Sequence, residues 1–124
     1  MGKAARLAMV GVMSAALIGG VPAVSQGGTA RVKAVGTFPN FSWQPPSKTV
    51  AKGTTVIWKN ATSSKHSVTA YRKGWSKNTV IQAGEKTKFR FKHTGTYFYF
   101  CRFHSHVSNG QCSGSMCGKI KVTS

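Results

Sequence analysis

Short stretches in which apolar and polar residues alternate run from about residue 30 to the end of the chain. A period of two is typical of strands with one buried face, and it predicts that Val56 and Trp58 lie together in the core. No segment after residue 25 sustains the 3.6-residue period of an amphipathic helix, so the pattern predicts an all-β fold. The predicted strands are residues 31–38, 54–60, 66–70, 89–92, 96–101 and 118–123.

Turn signals separate these stretches. Gly53, Gly84 and Gly95 each lie between two predicted strands, and residues 71–77 are predicted to form a loop. Three prolines between residues 39 and 46 predict an edge strand or an irregular strand, because proline cannot donate a hydrogen bond to a sheet ladder. Many short strands joined by turns favour a two-sheet sandwich or barrel.

The first 25 residues have the composition of a signal peptide. Lys3 and Arg6 precede an apolar run from Leu7 to Val21, and Ala23-Val24-Ser25 is a small-residue cleavage site. The run is shorter than the roughly 20 residues that a membrane-spanning helix needs. We therefore expect a cleaved signal peptide at 1–25, no transmembrane span in the mature protein, and one domain at 26–124, of which 26–30 is disordered.

Charge is the most unusual feature of the composition. The chain has 18 Lys and Arg residues against one acid, Glu85, which gives a formal net charge of +17. Loss of Lys3 and Arg6 with the signal peptide lowers it to +15. Such a field attracts anions, but export excludes nucleic acid as the expected partner. An acidic redox protein or anionic cell-envelope polymers fit better, and a general basicity without a specific partner is the alternative.

Four side chains in the predicted sheet region have the chemistry of a copper site. His66 begins a strand, Cys101 ends one, His104 follows after two residues, and Met116 precedes the last strand. One thiolate, two imidazoles and a weak thioether are the ligands of blue-copper electron-transfer sites. Because His66 is distant in sequence, the metal would connect separate strands of the sandwich.

Three segments then follow one another in a specific order. They are residues 53–60 with His66 shortly after, a Gly-x-Tyr-x-Tyr-x-Cys-x-x-His stretch at 95–104, and Met-x-Gly-x-Ile-x-Val at 116–122. This combination resembles the plastocyanin-like cupredoxins, which are small blue (type 1) copper proteins. The resemblance covers most of residues 48–122 and implies a Greek-key β-sandwich or barrel of the cupredoxin type. It also implies one copper ion, with His66, Cys101 and His104 as strong ligands and Met116 as the weak axial ligand.

The same resemblance assigns roles around the site. His104 is expected to reach the surface as the electron port, rimmed by Phe103 and Val107, and the backbone N–H of Ser67 is expected to support the sulfur of Cys101. Eleven residues separate His104 from Met116, whereas the family has only a few.

We interpret the insertion as a lengthened ligand loop closed by a Cys112–Cys117 disulfide, which leaves Cys101 free for copper. The axial position stays open between Met116, Gln111 and no ligand.

The resulting prediction is a secreted or extracytoplasmic, monomeric protein of the periplasm or cell envelope. It is expected to be no enzyme, and to carry single electrons between redox partners through Cu(II)/Cu(I) cycling. Two alternatives stay open: an extracellular copper-binding or copper-delivery protein, and a non-redox basic β-sandwich that binds anionic cell-envelope polymers. Loss of Cys101 separates the polymer-binding module from the electron carrier, because polymer binding would survive it and redox activity would not.

Overall fold

The computed structural model describes residues 27–124, so the expected signal peptide at 1–25 lies outside the described residues. Strands and turns make up this region, which confirms the predicted all-β class, and none of it forms a helix with the length and apolar character of a membrane span. The strands are β1 (Thr29–Thr37), β2 (Asn40–Gln44), β3 (Ser47–Ala51), β4 (Thr55–Asn60), β5 (His66–Tyr71), β6 (Asn78–Ile81), β7 (Lys86–Arg90), β8 (Gly95–Phe100), β9 (Ser105–Ser108), β10 (Gln111–Gly114) and β11 (Cys117–Thr123).

Two large sheets and one hairpin contain all of these strands. The four-stranded sheet has the order β2-β1-β4-β7, and the five-stranded sheet has the order β3-β11-β8-β5-β6. Each sheet contains one parallel pair, β1 with β4 and β3 with β11, and its other pairs are antiparallel. The hairpin of β9 and β10 forms a separate two-stranded sheet.

Alternation places the core between the two large sheets. Val56 and Trp58 of β4 are fully buried, as predicted, and so is Ile120 of β11, whereas Lys59 and Lys121 are exposed. A period of two thus buries one face of each strand and leaves the other to charged residues. The buried apolar residues of the core are Val32, Ala34, Phe41, Trp43, Val50, Val56, Trp58, Val68, Ile81, Phe91, Tyr97, Tyr99, Cys101, Met116, Ile120 and Val122.

The structure differs from the sequence prediction at several elements. β1 begins at Thr29, because Thr29 and Ala30 pair with Thr55 and Val56 of β4, so the disordered segment expected at 26–30 does not extend to these two residues. β3 had not been predicted, and β7 spans Lys86–Arg90 rather than 89–92. The predicted long ligand loop is itself structured as the β9–β10 hairpin.

One further difference concerns the predicted loop at 71–77. Trp75 of this loop packs on the core, with its ring stacked on Trp58 at a centroid distance of 6.2 Å. Its indole N–H donates to the carbonyl of Phe98 over 3.1 Å. This part of the loop therefore covers the core beside Trp58.

Candidate metal centre

Three donor atoms meet where β5 begins and β8 ends. The Nδ1 atoms of His66 and His104 are 3.2 Å apart, and the sulfur of Cys101 lies 3.7 Å from the first and 3.4 Å from the second. The point equidistant from these atoms is about 2 Å from each, close to the 2.0–2.3 Å of typical bonds from a metal to imidazole nitrogen or thiolate sulfur. The triangle therefore has the size that one transition-metal ion requires.

Cys101 is a fully buried free thiol. Its sulfur accepts a hydrogen bond from the backbone N–H of Ser67 over 3.3 Å, which confirms the contact that the family resemblance implied. The hydroxyl of Ser67 in turn accepts from the backbone N–H of Arg102 over 3.0 Å. Through these two hydrogen bonds, Ser67 at the start of β5 is connected both to Cys101 and to Arg102 in the turn after β8. The bond from the Ser67 N–H holds the sulfur of Cys101 in place.

A chain of hydrogen bonds orients the ring of His66. Its Nε2 lies 2.8 Å from the hydroxyl of Thr62, which donates to Oδ1 of Asn60 over 2.8 Å. The side-chain amide of Asn60 is fixed by donating to the carbonyls of Ser64 and Ile81. Because Thr62 already uses its hydroxyl proton, Nε2 of His66 is the donor to Thr62. This tautomer leaves the lone pair of Nδ1 directed at Cys101 and His104.

Burial lowers the pKa of both histidines. The pKa of His66 falls to about 4, mainly through desolvation and secondly through the nearby charge of His104. Desolvation also lowers the pKa of His104, which is half-buried. Both imidazoles are consequently neutral at neutral pH, the form in which histidine binds metals.

Two aromatic residues of β2 cover the centre. Phe41 is 1% exposed, and its ring meets the rings of His66 and His104 edge-on, at centroid distances of 4.7 Å in each case. Trp43 lies 6.5 Å from the ring of His66 and donates its indole N–H to the carbonyl of Met116 over 3.1 Å. Sequence reasoning missed both residues, although their spacing of two would have placed them on one face of the strand.

Met116 is fully buried between the hairpin and β11. Its carbonyl accepts from Trp43 and from the backbone N–H of Cys101, and its own N–H donates to the hydroxyl of Ser105 over 2.8 Å. These bonds connect the backbone of Met116 to Cys101 and to Ser105, the residue after His104. A third connects it to Trp43 of β2. Gln111, the alternative axial candidate, is exposed on β10.

The expected disulfide between Cys112 and Cys117 is confirmed. It joins β10 to the start of β11, next to Met116, and so closes the hairpin onto the five-stranded sheet. With this pair bonded, Cys101 is left with its thiol for a metal. His106, by contrast, is exposed on β9 and does not belong to the triangle.

The donor set fits copper better than a hard metal. A thiol and two neutral imidazoles in a buried position suit a soft or borderline ion, whereas Mg²⁺ or Ca²⁺ would need oxygen ligands. The sequence model of the family described as "Copper binding proteins, plastocyanin/azurin family" matches residues 30–123. The chain belongs to this copper-binding family. The cofactor of this family is copper, and the site of this member suits a single copper ion.

Solved structures support the fold of this plastocyanin/azurin family member. A purple cupredoxin from Nitrosopumilus maritimus is 19% identical, with a TM-score of 0.61 over 76% of this chain and 99% of the other. A reduced Cu(I) variant of amicyanin at pH 4 is 23% identical, with a TM-score of 0.60 over 77% and 82%. A mutant plastocyanin of fern gives 19% identity and a TM-score of 0.60 over 76% and 100%. No curated protein sequence matches the chain significantly.

Proposed function

We propose that the protein is a non-enzymatic carrier of single electrons, with His66, Cys101 and His104 as its strong copper ligands. The observation that supports this most directly is the triangle of two Nδ1 atoms and one sulfur, whose centre lies about 2 Å from each atom. Copper bound there supplies one-electron chemistry between Cu(II) and Cu(I). Met116 is proposed as the axial ligand because it is buried beside Cys101 and anchored at both its N–H and its carbonyl.

The protein contributes a donor arrangement that stays fixed. Ser67 holds the sulfur, Thr62 holds the ring of His66, and Phe41 packs against both imidazoles. Side chains locked by packing and hydrogen bonds keep nearly the same positions in both oxidation states of a metal. Little reorganisation is then needed when an electron arrives or leaves, which favours rapid transfer over catalysis.

We propose that redox partners dock around His104. In residues 27–124, the large apolar side chains that are exposed are Phe38, at 77%, and Phe103, at 37%. Phe103 precedes His104 in sequence, and the ring of Phe38 lies 6.4 Å from that of Phe41, which packs on His104. Both exposed rings thus lie beside the half-buried ligand, where apolar contact could exclude water between two redox centres.

The rim of this docking area is cationic. The ammonium of Lys65 lies 4.7 Å from the centroid of the Phe103 ring, and the guanidinium of Arg102 lies 4.9 Å from it. A partner with carboxylates around its own redox centre would complement these two cations. We therefore propose an acidic redox protein as the partner of this surface.

Location outside the cytoplasm is part of the same proposal. The signal-peptide composition of residues 1–25 supports export, and the Cys112–Cys117 disulfide is compatible with an oxidising compartment. The periplasm, the cell envelope or the extracellular medium would all meet this condition.

A visible and EPR spectrum of the protein loaded with Cu(II) tests the proposed function. The expected result is intense thiolate-to-copper absorption in the visible range, which disappears in Cys101→Ser and persists in the matched variant His106→Gln. Weak copper binding without that absorption would instead support copper delivery, and an unchanged spectrum in Cys101→Ser would contradict the ligand assignment.

A further inference from the structure

The outer face of the four-stranded sheet carries six cations in a regular grid. Its exposed positions belong to β1, β4 and β7, and their side chains alternate with the buried residues of the core. The cations are Arg31 and Lys33 on β1, Lys59 on β4, and Lys86, Lys88 and Arg90 on β7.

The register places three lysines in one row. Lys33 pairs with Lys59 across the parallel β1–β4 ladder, and Lys59 pairs with Lys86 across the antiparallel β4–β7 ladder. Side chains directly opposite each other on a sheet have Cβ atoms about 5 Å apart, and like charges in this position repel. The three lysines of this row therefore carry like charges that oppose folding. An uncharged Thr, Ser or Gln at these exposed strand positions would avoid that repulsion.

No acidic side chain in the strands of this sheet offsets that repulsion. Glu85 is the chain's single acid, and its carboxylate accepts a hydrogen bond from the backbone N–H of Gln82 in the β6–β7 turn. A pocket of about 160 Å³ lies within the grid, lined by Arg31, Val32, Lys33, Ile57, Lys59 and Lys86. Anionic groups from outside the chain could therefore lie among several cations at once.

We propose that this face, the β1–β4–β7 cation face, binds a linear phosphate polymer. Neighbouring strands are about 4.8 Å apart, and residues two positions apart along a strand are about 6.7 Å apart. A flexible chain with closely spaced phosphates can follow such a grid and contact several cations in succession. This binding is a second function, independent of the metal centre at the end of the sandwich.

Other polyanionic partners match the face less well. Its outward side chains include no aromatic ring on which a nucleic-acid base could stack. A membrane surface would need exposed apolar anchors. In the described part of the chain the exposed large apolar residues are Phe38 and Phe103, beside the metal centre, and the outward Val35 and Ile57 of this face are only partly exposed.

Titration of the full protein with long-chain inorganic polyphosphate tests the proposal. The variant Lys33→Gln/Lys59→Gln/Lys86→Gln removes the row of three lysines. The control Lys52→Gln/Lys119→Gln/Lys121→Gln makes the same change in charge at exposed positions. In this control, Lys119 and Lys121 pair with the neutral residues Phe98, Thr96, Ser47 and Thr49.

We expect the row variant to bind polyphosphate at least roughly tenfold more weakly than wild type at about 50 mM salt. The slope of log binding constant against log salt concentration should fall in magnitude by about 2, or about 0.7 for each lost phosphate contact. The control should lose less than about threefold, and Cys101→Ser should bind like wild type. Polyphosphate should also raise the melting temperature of wild type more than that of the row variant.

Three results would overturn the proposal. Equal losses in the row variant and in its control would mean that net charge alone attracts the polymer. Tighter binding of a single-stranded DNA of equal charge would assign the face to nucleic acid, and tighter binding of anionic phospholipid vesicles would assign it to a membrane. None of these results would change the copper spectrum, so the proposed electron transfer would stand even if polyphosphate binding were overturned.

Discussion

Thr62 contacts no donor atom of the triangle and still determines how His66 presents its lone pair. Its hydroxyl lies between Nε2 of His66 and Oδ1 of Asn60, at 2.8 Å from each. Partners of this kind orient metal-binding histidines and raise metal affinity.

Replacing Thr62 with Val keeps the side-chain shape and removes the hydroxyl. Because Nε2 of His66 then loses its acceptor, we expect copper affinity to fall about 10- to 100-fold. Competition with a chelator of known affinity measures the loss. Thr123→Val, which removes a hydroxyl that donates to the carbonyl of Val50, is the control, and an equal loss in both variants would contradict the role of Thr62.

Acid should destabilise the metal-free protein through His66. Its pKa is 6.5 when unperturbed and about 4 in the folded protein, because burial disfavours the charged ring. Between these values the unfolded chain binds more protons, so the free energy of unfolding should decrease as the pH falls from about 6.5 to about 4. Denaturant unfolding across this range measures it. His66→Gln should reduce the slope, and the remainder should come from His104, whose pKa burial also lowers. His106→Gln is the control, and an undiminished slope in His66→Gln would contradict the prediction.

Among the elements, β8 and β11 are connected through a close contact between Tyr99 and Gly118. The two residues pair across the ladder, and a Cβ atom on Gly118 would lie 2.6 Å from the phenol oxygen of Tyr99. Tyr99 is fully buried and its ring meets those of Trp43 and Trp58 edge-on, so it has little room to move. A glycine is required at position 118 for this steric reason.

Gly118→Ala should therefore cost about 1–3 kcal/mol of unfolding free energy, as overpacked cores do. Gly28→Ala is the control, because a Cβ atom there meets nothing within 4 Å. Urea unfolding of both metal-free variants provides the comparison. Equal stability of the two would show that the ring of Tyr99 can shift away without cost.

The strands with many apolar or aromatic residues could be predicted from the sequence, and those with few could not. β4 and β8 are rich in apolar and aromatic residues, β11 alternates apolar with charged residues, and all three lie within one residue of the predicted bounds. β3 contributes only Val50 to the buried core, and β9 and β10 contribute no fully buried residue. A strand with so few buried residues leaves no periodic signal, since backbone pairing rather than burial defines it.

The residues of the candidate site that belong to an ordered sequence motif could be predicted, and the others could not. The convergence of His66, Cys101 and His104 follows from the ordered motif, and the structure confirms it. Phe41 and Thr62 belong to no such motif. Their positions depend on how β2 and the β4–β5 loop pack against the histidines, which only the tertiary structure shows.

At the scale of the whole molecule, the net charge of +17 should select which small reagents exchange electrons with the protein quickly. Opposite charge raises the rate of encounter and salt screens this effect. We expect reduction by hexacyanoferrate(II) to slow as the ionic strength rises from about 10 mM to about 500 mM, and reduction by hexaammineruthenium(II) to accelerate. Stopped-flow absorbance follows both reactions, and the same direction of change for the two reagents would contradict steering by the protein's field.

The position of β11 determines when the five-stranded sheet can close. β11 does not lie at an edge: it pairs with β3 on one side and β8 on the other, and Met116 immediately precedes it. A nascent chain that still lacks residues 117–123 leaves those two strands unjoined. The five-stranded sheet therefore cannot close before residues 117–123 are available to pair, and a truncation that removes β11 would separate β3 from the rest of its sheet.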